Sequence, residues 1–269
     1  MEILIPILWF AALGGVLGLF LAIASRVFAV KKDERIDKIV DALPGANCGG
    51  CGYSGCAAYA EAIVAGTAKN GACAVGGTAC ATTIAEIMGT EACEVKVMRA
   101  RVLCVGGCDE ASYKFIYEGA SDCAAAVSIS GGAKFCRFGC IGKGTCAKVC
   151  AFDAITVENG LAKINIEKCT GCGTCVGVCP RNVIELVPLD SFVTVDCKSE
   201  DDGKTTRGYC KVGCIACRIC EKACPSSAIR VENNRAVIDY ALCTACGLCA
   251  DKCPRKIIHK KGDAVAVTE

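Results

Sequence analysis

From Ile3 to Ser25 the chain runs through 23 residues without a charge, ILIPILWFAALGGVLGLFLAIAS, and this pattern predicts a single long helix. Such a helix is about 34 Å long, enough to cross the hydrocarbon core of a bilayer with a little tilt. Ala22-Ile23-Ala24 offers the small-residue pattern of a leader cleavage site. However, Met1-Glu2 brings no positive charge, and the apolar run exceeds the roughly 7 to 15 residues usual in a leader, so the segment reads as a membrane anchor. Arg26, Lys31, Lys32, Arg35 and Lys38 crowd its C-terminal flank. By the positive-inside rule the rest of the chain then lies on the cytoplasmic side of the cell membrane, behind a single pass. Gly14 and Gly18 give the helix a close-packing stripe, which either docks another membrane helix or belongs to a partnerless anchor.

Beyond the anchor the pattern shortens. Ala57 to Ala68 is Ala-rich, free of Pro, and free of Gly until Gly66, which predicts a helix. Ile155–Glu158, Asn159-Gly160 and the following Leu161–Ile164 alternate with period two, as do Ile229–Glu232, Asn233-Asn234 and Arg235–Ile238. Each reads as a hairpin closed by a primed turn. The expected fold class is α+β: a transmembrane anchor (1–30), a small helical four-cysteine domain (31–92), a cysteine-containing connecting segment (93–119) and two tandem modules (120–190 and 191–269).

Composition changes the picture sharply. The 269 residues include 27 cysteines, one His and one Trp, with a formal net charge of +2. A chain of this length is not a small secreted disulfide scaffold, and a cytoplasmic placement keeps its thiols reduced and open to metal. With His259 alone, Cys/His zinc sites are nearly excluded. The near-neutral balance carries no basic footprint for nucleic acid. Gly139-Cys-Ile-Gly-Lys-Gly-Thr145 misses both nucleotide-binding glycine patterns and reads as a turn around metal ligands. Aromatic residues make up only 6 % of the chain, so bound metal clusters are expected to supply part of its stability.

Cys48, Cys51, Cys56 and Cys73 are spaced C-x2-C-x4-C-x16-C, with glycines between the first three. Glycine lets the backbone turn tightly and aim N–H groups at sulfur, so three thiolates can wrap one compact inorganic core and the fourth returns after a helix. The spacing points to a [4Fe-4S] site, with a four-thiolate zinc site as the structural alternative.

Adding 74 to Cys123, Cys136, Cys140, Cys146, Cys150, Cys169, Cys172, Cys175 and Cys179 gives a cysteine every time: 197, 210, 214, 220, 224, 243, 246, 249 and 253. The two modules are therefore an internal repeat. They contain three full C-x2-C-x2-C-x3-C-P runs, from Cys169, Cys214 and Cys243, the signature of bacterial two-cluster ferredoxins, in which the fourth Cys serves the other cluster. The second module then has sites from Cys214, Cys217, Cys220 and Cys253 and from Cys243, Cys246, Cys249 and Cys224. In the first, Cys169, Cys172, Cys175 and Cys150 are complete, but Lys143 replaces the second ligand of the other set. That set keeps Cys140, Cys146 and Cys179. Either Cys136 supplies the fourth thiolate, the expected case, or the site holds three irons. Cys104, Cys108 and Cys123 are candidates for a sixth site that would compete for Cys136. Cys197 and Cys210 are packing thiols or extra ligands, and Cys80 and Cys93 read as small buried residues.

The single anchor, the LeuProGlyAlaAsnCysGlyGlyCysGlyTyrSerGlyCys stretch closed by CysAlaValGlyGly, and the tandem ferredoxin runs closely resemble the RnfB family, the B subunits of the Rnf complex. The stretch from Arg101-Val-Leu-Cys104 to Cys150-Ala-Phe-Asp-Ala-Ile is similar to the long form of that family in anaerobes. Cys80 and Cys93 are not part of the pattern. The resemblance implies an electron-relaying subunit of a membrane-bound, ion-translocating ferredoxin:NAD oxidoreductase. It implies about five [4Fe-4S] clusters, or six with the Cys104 set. It further implies soluble ferredoxin as donor, membrane and flavin subunits as partners, and coupling to Na+ or H+ movement. The chain itself needs no substrate pocket. Five oxidised clusters would bring its charge to about −8, so an acidic ferredoxin would need a local basic patch. Candidates are Arg137, Lys143, Lys148, Arg181, Arg218 and Arg255. The rival is a tethered polyferredoxin subunit of a hydrogenase or formate-oxidising complex, which would not need the Cys48–Cys73 domain.

Overall fold

Helix α1, Leu4–Val27, takes up the charge-free run. Trp9, Phe10, Leu13, Val16, Leu17 and Phe20 are all exposed along it, so no other described part of the chain covers its apolar surface. It is long and apolar enough to cross a membrane. The computed structural model describes residues 4–27, 33–189 and 193–260. Lys31 and Lys32 of the basic flank therefore lie outside the described residues, as does Lys261 beside His259 and Lys260.

Helices α2 (Glu34–Ala42), α3 (Cys56–Val64) and α4 (Gly77–Met88) pack around Ile39, Tyr59, Ile63 and Ile84. Asp33 starts α2 by accepting a hydrogen bond from the Arg35 N–H, a normal N-cap arrangement. Helix α3 is shorter than the run to Ala68 suggests. Gly66 adopts φ +75° just beyond its end, which a right-handed helix cannot accommodate. Tyr59 ties the return path down, donating to the Lys69 carbonyl at 2.6 Å and accepting from the Ala72 N–H at 3.1 Å.

The stretch expected as a connection instead supplies strand β1, Met98–Val102. After it come α5 (Cys123–Ser128), α6 (Thr145–Lys148), the hairpin β2 (Ile155–Glu158) and β3 (Leu161–Ile164), α7 (Thr174–Gly177) and β4 (Ile184–Pro188). Strand β1 pairs antiparallel with β4, Val102 facing Ile184, so the first repeat begins near Met98 and not at 120. The second repeat runs β5 (Val193–Val195), α8 (Gly203–Tyr209), α9 (Ile219–Ala223), β6 (Ile229–Glu232), β7 (Arg235–Ile238), α10 (Leu248–Asp251) and β8 (Ile258–Lys260). Strand β5 pairs with β8, Val195 facing Ile258. Both hairpins form as expected, with Asn159, Gly160, Asn233 and Asn234 all at positive φ as primed turns require.

Equivalent backbone bonds extend the edge pairing within each repeat. The Leu103 N–H donates to the Val183 carbonyl and the Asp196 N–H to the Ile257 carbonyl, both at 2.7 Å. Two residues past each edge strand, Cys104 and Cys197 face one another in an antiparallel bridge. The seam is thus self-complementary, like a two-fold dimer interface within one chain.

Candidate iron-sulfur centres

The cysteines gather in small enclosed sets. One cavity is lined by Cys214, Cys217, Cys220 and Cys253, another by Cys224, Cys243, Cys246 and Cys249, the two sets expected from ligand exchange between the second-repeat runs. A third is lined by Cys48, Cys51, Cys56 and Cys73. Their empty volumes are close, about 340, 320 and 380 Å³. The donor chemistry fits a cluster: four soft sulfurs at each cage, with backbone N–H groups aimed at them. Asn47, at φ +46°, holds the loop of the Cys48 cage by accepting from the Cys56 N–H at 2.8 Å. The Ala228 N–H donates to Cys224 Sγ at 3.3 Å, and the Ala154 N–H, its repeat equivalent, to Cys150 Sγ at 3.4 Å. Among the described residues no three His, Cys, Asp or Glu side chains are arranged to hold a single metal ion.

In the first repeat, burial pushes the Cys175 thiol up to about 12, with Cys169, Cys172 and Cys150 adding like charge around it. The Cys146 thiol also rises to about 12, first through burial and then through Cys140, Cys123 and Cys179. Those neighbours identify the group standing near the ligand that Lys143 replaces. It is Cys123, not Cys136. Helix α5 begins at Cys123, whose N–H donates to Thr145 Oγ1 at 2.7 Å, so the inserted segment folds back onto the loop that lacks a cysteine. Lys143 itself turns away, its ammonium 4.7 Å from the Tyr117 ring.

Cys136, expected beside Cys140, lies instead with Cys104, Cys197 and Cys210 in a separate cavity at the seam. Cys108 is exposed and within 3.4 Å of the Tyr113 hydroxyl, and lines none of the four-cysteine cavities. Cys80 is buried beside Cys73, whereas Cys93 is exposed, contrary to expectation. Of the basic candidates, Arg181 donates to the Gly131 carbonyl, Lys148 to that of Ser121, and Arg255 to those of Gly213 and Cys210. These three hold the fold. Arg137 and Arg218 remain mostly exposed and pair loosely with Asp201 and Glu221. His259 places Nδ1 2.7 Å from Asp196 Oδ2. Sequence reading missed Lys134, a buried ammonium that donates to the carbonyls of Gly106 at 2.7 Å and Gly160 at 3.1 Å. A further, larger cavity of about 920 Å³, under Tyr113, Ile116 and Tyr117, has no carboxylate or histidine in its lining.

The domains come together closely. A Cβ at Gly50 would collide with the carbonyl of Cys172, and Thr174 Oγ1 donates to the Cys48 carbonyl at 3.1 Å. The helical domain's cage therefore abuts the Cys169 run directly.

Several four-cysteine cages on a scaffold of short hairpins define an electron-transfer protein with multiple [4Fe-4S] clusters. Family models agree along the chain: "Putative Fe-S cluster" matches residues 43–75, "4Fe-4S binding domain" matches 137–153 and 162–185, and "4Fe-4S dicluster domain" matches 213–258. The chain is 49% identical over 243 residues to the B subunit of the Na(+)-translocating ferredoxin:NAD(+) oxidoreductase complex of Acetobacterium woodii, covering 90% of this chain and 73% of that one. It is 43% identical to the B subunit of the ion-translocating oxidoreductase complex of Methanosarcina acetivorans, over 87% of this chain and 89% of the relative. For the B subunit of the proton-translocating ferredoxin:NAD(+) oxidoreductase complex of Clostridium ljungdahlii the figures are 42%, 86% and 82%. The chain belongs to the RnfB family of the Rnf ion-translocating oxidoreductase complex, as an iron-sulfur electron-transfer subunit.

Proposed function

We propose that the chain receives electrons from reduced soluble ferredoxin on the cytoplasmic side of the membrane and delivers them to flavin and iron-sulfur subunits of its complex. The whole complex then couples NAD reduction to Na+ or H+ movement. The observation that carries this reading is the contact between the Cys48–Cys73 cage and the Cys169 run at Gly50 and Cys172, which joins the anchored domain to the ferredoxin-like modules. Helix α1 tethers that same domain to the bilayer, and Arg26 at its last turn suits a cytoplasmic exit.

The sites would be held by Cys48, Cys51, Cys56 and Cys73; by Cys150, Cys169, Cys172 and Cys175; by Cys140, Cys146, Cys179 and Cys123; by Cys214, Cys217, Cys220 and Cys253; and by Cys224, Cys243, Cys246 and Cys249. When bound, a [4Fe-4S] cluster supplies one-electron redox change at a potential set by burial and by N–H···S bonds. The protein's own part is positional. Short turns bring four sulfurs together, and hairpins keep water from the inner ones: Cys140, Cys146, Cys169, Cys175, Cys214 and Cys220 are all buried. Cys217 and Cys246 are exposed, which opens the second module toward a soluble donor.

The test is anaerobic purification followed by iron, sulfide and zinc analysis, then mixing with reduced ferredoxin. The five sets require at least about 20 iron with matching sulfide, since each cluster has four. Rapid bleaching of the cluster absorbance, slowed by salt, is expected with ferredoxin. Stoichiometric zinc without iron would refute the redox reading.

A further inference from the structure

Four cysteines are left in one place by the assignments above. We propose that Cys104, Cys136, Cys197 and Cys210 hold a sixth [4Fe-4S] cluster on the approximate two-fold axis of the seam, between the Cys140 set and the Cys214 set. The inference rests on the iron-sulfur reading of the other sites and adds a centre that no ferredoxin motif contains.

The first support is the cavity. Its lining includes these four cysteines, and its empty volume, about 400 Å³, falls beside the 340 and 320 Å³ of the cages built by complete ferredoxin runs. Gly106 and Gly139 mark where the sulfurs converge: a Cβ at Gly106 would stand 3.4 Å from Cys210 Sγ and 3.8 Å from Cys104 Sγ, and one at Gly139 3.5 Å from Cys136 Sγ and 3.6 Å from Cys104 Sγ.

The second support is symmetry. Each repeat contributes one cysteine two residues past its edge strand, Cys104 after β1 and Cys197 after β5. Each contributes another four residues before its first cluster ligand, Cys136 before Cys140 and Cys210 before Cys214. The set is two equivalent halves, which chance burial of leftover thiols does not produce.

The third support is the backbone around the sulfurs. Cys197 accepts from the Cys214 N–H at 3.2 Å and from the Ser199 N–H. Cys136 accepts from the N–H groups of Phe138 and Gly139, and Cys210 from those of Val212 and Gly213, the same offsets in both repeats. Donors of this kind stabilise thiolate and tune clusters, and a packing thiol has no use for two. Lys134 lines the same cavity and lies near Cys140, placing a buried positive charge where anionic centres would adjoin.

The placement answers a gap in the chain of sites. The Cys214 N–H reaches Cys197 Sγ directly, and Cys104 lies within electrostatic range of Cys140. The seam set therefore adjoins a ligand of each neighbouring set, making one continuous series from the anchored domain through both modules.

The experiment compares the full-length, anaerobically purified chain with a Cys104→Ser/Cys197→Ser variant and with Cys108→Ser. Expected are about 24 iron and sulfide in the parent, about 20 in the double variant and about 24 in Cys108→Ser, at four iron per cluster. A single Cys197→Ser change is expected to add a three-iron signal to the oxidised electron paramagnetic resonance spectrum. About 20 iron in the parent, or that count with one zinc, overturns the sixth site while leaving the others standing. Loss of four iron in Cys108→Ser instead overturns the ligand set. If the double variant fails to fold, the parent count and the single-variant spectrum still decide. Near-zero iron in the parent would bring down the underlying reading as well.

Discussion

Arg101 on β1 and Asp196 just past β5 form a two-pronged ion pair across the seam, with Nη2 to Oδ2 at 2.5 Å and Nε to Oδ1 at 3.2 Å. Their side chains are 9% and 1% exposed, so the pair is removed from water. Removing one partner of a buried ion pair costs about 3–5 kcal/mol, while replacing both with apolar residues of similar size costs far less; His259 Nδ1 lies 2.7 Å from the same Asp196 Oδ2 and shares its charge. Asp196→Asn is expected to lower the denaturant midpoint for cluster release, and Arg101→Met with Asp196→Leu to restore most of it. Equal loss in both variants would show that the pair matters for contacts beyond its charge.

Gly50 has no room for a methyl group against the Cys172 carbonyl. Gly50→Ala is expected to leave the iron content unchanged but to loosen the helical domain from the first module, for about 1–3 kcal/mol of overpacking. Limited proteolysis within residues 89–97, which form no helix and reach strand β1 only at Met98, reads this directly. Cleavage no faster than in the parent would mean that the contact is not holding the two domains together.

Cys123→Ser and Cys136→Ser separate two assignments of the fourth ligand beside Cys140, Cys146 and Cys179. The position of Cys123 against Cys146 predicts that Cys123→Ser damages this set and that Cys136→Ser damages the seam set. Potentiometric titration distinguishes them, because the two variants should alter different components of the redox curve.

The grouping of the second-repeat cysteines could be read from the ferredoxin spacing, although it brings Cys253 back to Cys220 across 33 positions, and both hairpins could be read from their local turn residues. The seam was not legible in this way. An addition of 74 pairs Cys123 with Cys197, but the backbone pairs Cys104 with Cys197, because the first repeat carries an insertion between Cys104 and Cys136 that displaces its own edge strand in sequence. Cysteine spacing also gave no hint of Lys134, whose role depends on two carbonyls brought together by that insertion.

Lys134→Met removes a donor from the Gly106 and Gly160 carbonyls and a positive charge from between two sets of cysteines. A loss of about 1–3 kcal/mol in stability is expected from the unpaired carbonyls. Nearby clusters should become harder to reduce, because a cation favours the more negative state. Redox titration of the variant should show at least one component moved to lower potential. Unchanged potentials would confine the residue to a structural role.

Iron removal should reveal a pH signature. Burial holds the thiols of Cys146, Cys175 and Cys197 near 12, well above the ordinary value of about 9. Because the folded values are the higher ones, their stabilisation of the iron-free fold is complete below about pH 9 and is lost as pH climbs toward 12. The thermal midpoint of the iron-free chain should fall over that window. Cluster insertion, which must expel those protons, should run faster as pH rises.

The antiparallel bridge at Cys104 and Cys197 has an ancestral consequence. A single module bearing only its own edge-strand cysteine and its own residue before the first ligand would present half a cage, useless alone and completed by a second copy of itself. Duplication and fusion of such a gene would have turned a homodimer's shared centre into an internal one. Its two halves were afterwards free to diverge, as the module with the inserted segment has done.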